Sequence, residues 1–499
     1  MFSSFLALPP NDFAQSEFAA CAVGDPRRRR RVVSVAAAMA ANPGLSIPKL
    51  FAGDPYAINA SYELFKREEA TPDNLQAAHR HQTRRRCTEP GTYLLLEDTT
   101  DISYSGGEHR EGLGPIGNRA SNFYEGVRVH SVLAVRMAGE VTAEERRPAV
   151  EICGLLDQQY LIRSQEPLAD PNPARGSRRK RLRGDQLESQ RWIESIERSI
   201  VNDPSNGEVD AQARCIRVAD READIYEYLR QTRRSGQGFV VRACQNRRVQ
   251  CPDTGRVCGH LLTLARERGV ELGGFELFLR ARPGMSARTA RLRVSSAGEH
   301  LIQSPQRPGH GQGGDSPVAV SVVRVWEAEP SAGVKAPLEW LLLTSEPVAT
   351  FEQALVVARQ YACRWLIEEF HKALKSIMGA ERLQLERGER LMAAIAIMSV
   401  VALRLIDLRE AVRLWPDAPA IGRHFDEVEI EILESVTRKS IVTLRDGLRA
   451  MAKLGGFIGR KCDGEPGIQA LWRGREVLDA QKRGYLLAIE HARRKRSRE

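Results

Sequence analysis

One short segment carries many of the ionisable side chains that the sequence could use for chemistry. It spans residues 361 to 375 and reads YACRWLIEEFHKALK. The absence of Gly and Pro, together with many strong helix formers, predicts a helix. At about 100° per residue, an arc of roughly 80° on that helix collects a phenol, a carboxylate and three cations. The residues on this arc are Tyr361, Arg364, Glu368, Lys372 and Lys375.

Two interpretations of this arc are open. Charges spaced by three or four residues stabilise a solvated helix face, as Arg364 with Glu368 and Glu368 with Lys372 would here. Alternatively, the carboxylate belongs to a site and the surrounding cations hold an anionic substrate. The second interpretation gains weight because two more acids end apolar runs elsewhere in the chain.

Those acids are Asp98, which ends the run TYLLLED, and Asp220, which ends the run CIRVAD. Both runs are typical of buried strands, and ligands of open α/β sheets bind at the carboxyl edge of the strands. Neighbouring strands would bring the two carboxylates together, and a helix laid over the same edge would add Glu368. Three clustered carboxylates need cations to stay ionised, and oxygen donors of this kind suit Mg²⁺ or Mn²⁺. Because two such ions, about 3.5–4 Å apart, assist phosphoryl transfer, the residues favour a metal-dependent nuclease or strand transferase.

Other reaction classes find little support in the sequence. It offers no plausible Ser–His–Asp set, no phosphate-binding Gly loop followed by Lys and no dinucleotide fingerprint. Cys251, Cys258 and His260 have a spacing that matches no common zinc pattern. The nine scattered cysteines suit a reducing compartment.

The composition is that of a large globular protein with a basic balance. The chain has 499 residues, 42% of them hydrophobic, and 74 Lys and Arg against 64 Asp and Glu give a net charge of +10. That charge is compatible with a polyanionic partner. No apolar run approaches the ~18 residues of a membrane span, and the N-terminus lacks the features of a signal peptide. We therefore expect a soluble cytoplasmic protein with no membrane partner.

A helical module is predicted over residues 1–75. Asp25 as N-cap and Pro26 at the first helical position predict a helix that opens with the arginine run of residues 27–31. Cations at this end oppose the helix dipole, which favours phosphate contacts through Arg27, Arg28 and Arg30. A solvated charge run is the alternative.

Changes of residue pattern divide the rest of the chain. Residues 76–248 begin with a polar connector over residues 76–90 and then alternate apolar and helical runs, which predicts the first part of an α/β catalytic core. Period-two runs over residues 249–347 predict an inserted antiparallel β module. Residues 348–415 carry the Glu-bearing helix and complete the core. Residues 416–499 are predicted to be helical, with a basic tail.

The chain resembles the bacterial DDE transposases of the insertion-sequence-four family. The likeness is strongest in LLLEDTTDISY, VADREADIYEYL and YACRWLIEEFHKALKSIMGAERLQ. It extends to GDPRRRRRVVSVA, to EWLLLTSEPV and to AKLGGFIGRK with LWRG, and so covers nearly the whole chain. The family's central motif is Tyr, Arg three residues on, Glu four further and Lys seven further. Tyr361, Arg364, Glu368 and Lys375 match it without a gap.

The resemblance implies a ribonuclease-H-like core whose catalytic, metal-binding triad is Asp98, Asp220 and Glu368, with two Mg²⁺ or Mn²⁺ ions per active site. In this family the Tyr, Arg and Lys of the motif hold the DNA end, and a Trp of the β module receives a flipped base. Trp340 is the matching Trp, and Arg242 matches a DNA-contacting Arg. A core aromatic and a surface strand cation are the alternatives at those two positions.

The resemblance also implies a cut-and-paste enzyme that acts on double-stranded DNA in the bacterial nucleoid. It would bind terminal inverted repeats, cleave through a hairpin and join the 3′ ends to target DNA, as a homodimer held by residues 416–499 in a synaptic complex. A silent end-binding repressor and a structure-selective nuclease are the alternatives. Two departures from the family are visible. Residues 167–185, which include the basic loop 175–183, are more basic than expected, and residues 415–437 look short.

Overall fold

The computed structural model describes residues 5–104, 110–116, 124–163, 189–201, 212–279, 286–305, 316–330, 334, 337–422, 424–460 and 463–496, and the basic loop 175–183 lies outside them. The helices are α1 (Pro10–Phe18), α2 (Pro26–Ala41), α3 (Ile47–Leu50), α4 (Pro55–Phe65), α5 (Pro72–Arg86), α6 (Gln190–Arg198), α7 (Tyr226–Arg234), α8 (Leu261–Glu267), α9 (Phe351–Cys363), α10 (Trp365–Lys372), α11 (Gly388–Leu414), α12 (Glu427–Thr437), α13 (Leu444–Leu454) and α14 (Ile468–Arg496). The strands are β1 (Gly91–Tyr104), β2 (Gly114–Ile116), β3 (Tyr124–Ala138), β4 (Ala149–Leu161), β5 (Ala213–Ala219), β6 (Gly238–Arg242), β7 (Arg248–Gln250), β8 (Val257–His260), β9 (Val270–Leu279), β10 (Arg288–Ile302), β11 (Val318–Glu327) and β12 (Glu339–Thr344).

The strands of the described part of the chain form one mixed sheet. Its order is β2-β3-β1-β5-β6-β12-β11-β10-β7-β8, with β4 also paired to β3 and β9 to β10. The pairs β1–β5 and β5–β6 are parallel, whereas β3 pairs antiparallel with both β1 and β4. Helices at both ends of the chain and this mixed sheet confirm the predicted α/β class.

The strands of the predicted inserted module are antiparallel, as expected, but they continue the same sheet. β12 pairs with β6 through Leu342 opposite Arg242 and Leu343 opposite Val241. From β12 the sheet runs on through β11 and β10. The alternating pattern of the sequence identifies such strands, but it does not reveal which edge they join. The short helix α8 also interrupts this region.

The two faces of the central strands pack into different cores. Leu94, Leu96 and Val218 belong to the largest core, which also contains the buried apolar residues of α10. The next residues along the strands point the other way, where Ala219 packs in the core that includes Trp192 of α6. Because side chains alternate along a strand, α10 and α6 lie on opposite faces of the strands that carry the acids.

The polar connector predicted over residues 76–90 is wrong, because helix α5 occupies most of it and crosses the predicted boundary at residue 75. Thr71 caps the helix by accepting a hydrogen bond from the Asn74 N–H at 3.2 Å. Its buried face is polar: His79 Nδ1 lies 2.6 Å from Glu17, and Arg86 donates to the same carboxylate at 2.5 Å. A buried face made of paired polar groups lacks the apolar periodicity that signals a helix.

Three further elements differ from the pattern of the sequence. The apolar run that ends at Asp98 continues as one strand, β1, through Tyr104. The helix predicted over residues 361–375 is interrupted at Arg364 and ends in a π-helical turn, Ala373–Ile377. The helical region predicted over residues 416–499 is divided, and its helices α12 and α13 each have a capping box.

Helix α11 is long and apolar enough to cross a membrane, contrary to the expectation that no segment approaches such a span. However, most of its apolar window is buried inside the protein. Ala394, Ile397 and Val401, at helical spacing, are fully or almost fully buried in the largest core. The helix is therefore accounted for by packing within the fold.

Candidate active site

The sheet register places Asp98 and Asp220 at the same level of neighbouring strands. β1 and β5 pair in parallel from Gly91 opposite Ala213 to Leu96 opposite Val218, an offset of 213 − 91 = 122 residues. Asp98 and Asp220 are separated by the same interval, 220 − 98 = 122. Both side chains therefore belong to the face that α10 covers, just beyond the last paired residues.

The position of Asp98 differs in one respect from the prediction. The strand does not end there, because β1 continues beside β3, with Asp98 opposite Ser131. What ends near Asp98 is β5, whose last residue is Ala219, and with it the pairing between the two strands. The end of β5 makes the edge predicted from the apolar runs.

Helix α10 carries the third carboxylate to the same place. Leu366, Ile367 and Phe370 are fully buried, and this apolar side holds the helix against β1. Glu368 remains partly exposed, and the Arg364 guanidinium joins it to Asp98. Arg364 Nη1 lies 3.4 Å from Asp98 Oδ2, and Nη2 donates to Glu368 Oε1.

The pKa of Asp98 is affected by its burial and by both other carboxylates. Burial raises the pKa of Asp98 to about 6, and the charges of Asp220 and Glu368 act in the same direction. Arg364 opposes them, as expected for a cation beside an acid. A clustered set of carboxylates of this kind favours the binding of positive charge.

Backbone N–H groups fix one oxygen of each aspartate. The Thr99 N–H donates to Asp98 Oδ1 at 2.8 Å, and the Glu222 N–H donates to Asp220 Oδ1, also at 2.8 Å. The second hydrogen bond caps the short 3₁₀ turn that follows β5. Both carboxylates are thus oriented by their own chain segments.

The donor set fits a hard divalent cation. It consists of carboxylate oxygens, which Mg²⁺ and Mn²⁺ prefer. The raised pKa of Asp98 means that its negative charge is disfavoured by the surroundings, and a bound cation would stabilise that charge. Within the described ranges, no three His, Cys, Asp or Glu side chains are close enough to hold an ion as they stand. In this arrangement the guanidinium of Arg364 supplies the positive charge between two of the carboxylates.

The other residues of the predicted helix arc have different surroundings. Lys375 Nζ donates to Thr100 Oγ1 at 3.2 Å and to the Asp101 carbonyl at 2.9 Å, so it lies along β1 beyond Asp98. Lys372 is exposed. Tyr361 is buried, and its ring centroid lies 5.6 Å from that of Trp340 in an edge-to-face contact.

The predicted DNA contacts outside this helix fall into two places. Trp340 is half-buried on β12, and Arg242 on β6 donates to the carbonyl of the preceding residue of β12, Glu339, at 3.1 Å. The N-terminal arginines lie instead at the start of α2, which Asp25 caps as predicted. Arg27 and Arg30 are exposed. Arg28 forms an ion pair with Glu69 at 2.6 Å.

A buried ionic network behind Asp98 was not predicted from the sequence. Glu97 is fully buried and accepts hydrogen bonds from Tyr228 and Ser195, both at 2.8 Å, and from Arg217. Arg217, also fully buried, donates to Gln237 Oε1 and Ser199 Oγ, both at 2.6 Å. A visible signal existed, because an Arg within the apolar run CIRVAD requires a buried partner.

Three family models match successive parts of the chain. The model described as Transposase DNA-binding covers residues 10–70, Transposase DDE domain covers residues 203–404, and Transposase Tn5 dimerisation domain covers residues 424–497. The second match includes Asp220 and Glu368. Asp98 precedes it, so the place of Asp98 in the site depends on the sheet register.

Proposed function

We propose that this chain, which matches family models for a transposase DNA-binding domain, a transposase DDE domain and a transposase dimerisation domain, is a DDE transposase that works by a cut-and-paste mechanism. The enzyme binds the terminal inverted repeats of its element and cleaves them by divalent-metal-dependent hydrolysis and hairpin formation. It then joins the 3′ ends to target DNA. The observation that carries the proposal is the matched level of Asp98 and Asp220, with Glu368 joined to Asp98 through Arg364.

In this proposal Asp98, Asp220 and Glu368 are the ligands of two Mg²⁺ or Mn²⁺ ions. Such ions, when bound, activate water and stabilise the attacking and leaving oxygens of an in-line displacement. The described arrangement β4-β3-β1-β5-β6, with β5 and β6 parallel to β1, supports the ribonuclease-H-like core that a DDE domain implies.

Arg364, Lys372, Lys375 and Tyr361 hold the phosphates beside the scissile bond in this proposal. Arg364 contacts Asp98 itself, and Lys375 donates to the carbonyl of Asp101, three residues further along β1. Because a cation cannot be a metal ligand, their role is to bind the DNA backbone. Arg242 and Trp340 would contact the same DNA end from the neighbouring β6–β12 junction.

The dimer that the C-terminal domain forms is proposed to hold two DNA ends in one synaptic complex on the bacterial nucleoid. Helix α14 exposes apolar side chains that a second copy would cover, with Leu486 45% and Leu487 66% exposed. Their exposure agrees with the match of residues 424–497 to a dimerisation domain.

The proposed function is tested on the DNA that flanks the coding region. Inverted repeats found there are made as duplexes and incubated with the full chain and Mg²⁺. The expected products are a nick at each repeat boundary, then a hairpin, then joining to a target plasmid. Binding without cleavage would indicate the silent repressor. Cleavage without joining would indicate a structure-selective nuclease.

Replacing Arg27, Arg28 and Arg30 by Gln is expected to weaken end binding and to flatten its salt dependence. Every arginine that no longer meets a phosphate should reduce the log–log slope by roughly 0.9, because fewer counterions are released. Gel-shift titrations over a range of salt concentrations measure that slope. Lys439→Gln, at an exposed position after α12, is the control. A slope that stays unchanged in the triple variant would make the arginines a solvated charge run.

Trp340→Ala is expected to spare the first nick and to slow hairpin formation by about 10–100-fold. Stacking of a flipped base is worth about 1–3 kcal/mol, and only the tightly bent hairpin demands it. Single-turnover assays on end duplexes separate the two steps. An abasic site at the flipped position should remove much of the advantage of the wild type.

The matched control is Trp326→Ala, since Trp326 is also half-buried on the adjacent strand β11 but belongs to the opposite face of the sheet. Equal rates of hairpin formation for the wild type and Trp340→Ala, with both folded, would leave Trp340 a packing residue. A defect of the same size in Trp326→Ala would lead to the same conclusion.

A further inference from the structure

We propose that Arg191 is a positioning residue that fixes the separation of Asp98 and Asp220 from the opposite face of the sheet. The inference deepens the proposed function and rests on it. Arg191 stands in the first turn of α6, and only 4% of its side chain is exposed. The guanidinium is directed at protein groups on the face of the sheet opposite to the acids, and so it is not available to bind a DNA phosphate.

The guanidinium of Arg191 connects the two chain segments that carry the aspartates. Its Nε donates to Thr99 Oγ1 at 3.0 Å, and its Nη2 donates to Glu222 Oε2. Thr99 is the residue after Asp98, and Glu222 is two residues after Asp220. The same two residues donate their backbone N–H groups to Oδ1 of Asp98 and of Asp220.

One side chain therefore holds both residues that orient the carboxylates. The parallel pairing of β1 with β5 stops at Leu96 and Val218, so backbone hydrogen bonds do not set the spacing of the strands at the level of the acids. Arg191 bridges the two segments just past that point. An arginine suits this task because its planar fork can donate in two directions at once.

The position of Arg191 is itself well supported. The carbonyl of Arg191 accepts a hydrogen bond from Gln159 Nε2 at 3.1 Å. Thr99 Oγ1 is also within 2.9 Å of His130 Nδ1, and the His130 ring packs edge-to-face on Trp192 with centroids 4.6 Å apart. The connection is thus part of a packed layer behind the site, and loss of Arg191 loosens two segments together.

Groups that orient metal ligands without touching the metal typically change metal affinity or activity by about 10–100-fold when removed. We expect a loss of this size in Mn²⁺ affinity for Arg191→Met in the full chain bound to an end duplex. The readout is free Mn²⁺ measured by electron paramagnetic resonance, so it does not depend on turnover. The Mn²⁺ affinity of Arg191→Lys should be intermediate, because a compact ammonium can keep the contact to Thr99 or to Glu222 but not both at once.

A second expected result separates positioning from general damage. The Mn²⁺ concentration that gives half-maximal nicking should rise in Arg191→Met, and the maximal rate should largely recover at high Mn²⁺. Gel-shift affinity for the end duplex should stay within about twofold of the wild type, because the buried side chain makes no phosphate contact. The proposal would be overturned if the nicking rate of Arg191→Met stayed low even at high Mn²⁺ and the Mn²⁺ concentration for half-maximal nicking were unchanged.

Arg198→Met is the matched control on the same helix. Arg198 forms ion pairs with Asp157 at 2.9 Å and Asp73 at 2.7 Å, two turns away from Arg191. If Arg198→Met weakens Mn²⁺ binding as much as Arg191→Met does, the effect belongs to the stability of α6 and the proposal fails.

If Arg191→Met does not fold, Glu222→Gln provides a second test of the same bridge. The Glu222 side chain is 59% exposed, so its replacement by the similarly shaped Gln leaves no cavity. It should weaken Mn²⁺ binding in the same direction, by several-fold, and unchanged binding would overturn the proposal. The wild type decides the proposed function separately. If the wild type neither binds Mn²⁺ nor nicks the ends, both proposals fail, whereas an active wild type with an unaffected Arg191→Met refutes only this one.

Discussion

Asp98→Asn, Asp220→Asn and Glu368→Gln are each expected to reduce nicking of the DNA ends by at least about 10³-fold while binding of the ends persists. The three carboxylates act as one unit, so the loss from one substitution should be nearly as large as that from all three together. The isosteric amides keep the shape of each side chain but lose the negative charge that a divalent ion requires. Single-turnover cleavage of an end duplex in Mg²⁺, compared with gel-shift binding, measures both effects.

Asp101→Asn is the control for this series. Asp101 lies on the same strand, and its carboxylate accepts a hydrogen bond from Arg128 at 2.8 Å. It should retain near-normal nicking, and chelation of the metal should reduce the wild type to the level of the triad variants. Substantial Mg²⁺-dependent cleavage by any one of the three variants would remove that residue from the triad.

Glu97→Gln is expected to destabilise the catalytic core by about 3–5 kcal/mol. The amide would leave Arg217 fully buried without a charged partner, which is the costly way to break a buried pair. For a core of this size, residues 76–415, such a loss lowers the melting temperature by roughly 4–7 °C. Thermal unfolding of the full chain measures the shift. Glu271→Gln, at an exposed ion pair with Arg293, should change it little.

The stability that Glu97 contributes should also depend on pH. Although burial alone would raise the pKa of Glu97, Arg217 and His130 hold it at about 2, below the ordinary value of 4.5. A group whose pKa is lowered by folding contributes stability above its unfolded pKa and loses it as the pH falls. The wild type should therefore lose its advantage over Glu97→Gln between about pH 4.5 and 2. An advantage that persists undiminished through this window would show that the charge of Glu97 is not what matters.

The acids of the site could be predicted because their sequence signals are local. Asp98 and Asp220 each end an apolar run, and Glu368 lies on an arc of cations whose spacing is a property of one helix. The register that brings the two aspartates level was not visible in either run. It requires knowing that β1 and β5 are neighbours and that Gly91 pairs with Ala213.

What the sequence did not reveal depends on pairings between distant segments. Helix α5 was missed because Glu17, 62 residues from His79, satisfies a polar face that looks exposed in isolation. Arg217 and Glu97 are separated by 120 residues, and in the sequence each is a charged residue in an apolar run without a visible partner. The continuity of β6 with β12 likewise depends on an edge that strand periodicity does not specify.

That continuity has a geometric consequence for the DNA. β1, β5, β6 and β12 are consecutive in the sheet, so three interstrand spacings, roughly 14 Å in total, separate the strand of Asp98 from that of Trp340. Interstrand hydrogen bonds fix the spacing of these strands, so the sheet sets a constant distance between the scissile phosphate and the indole of Trp340. If Trp340 stacks a flipped base, that base is chosen by its distance from the cut along the backbone, whatever its identity.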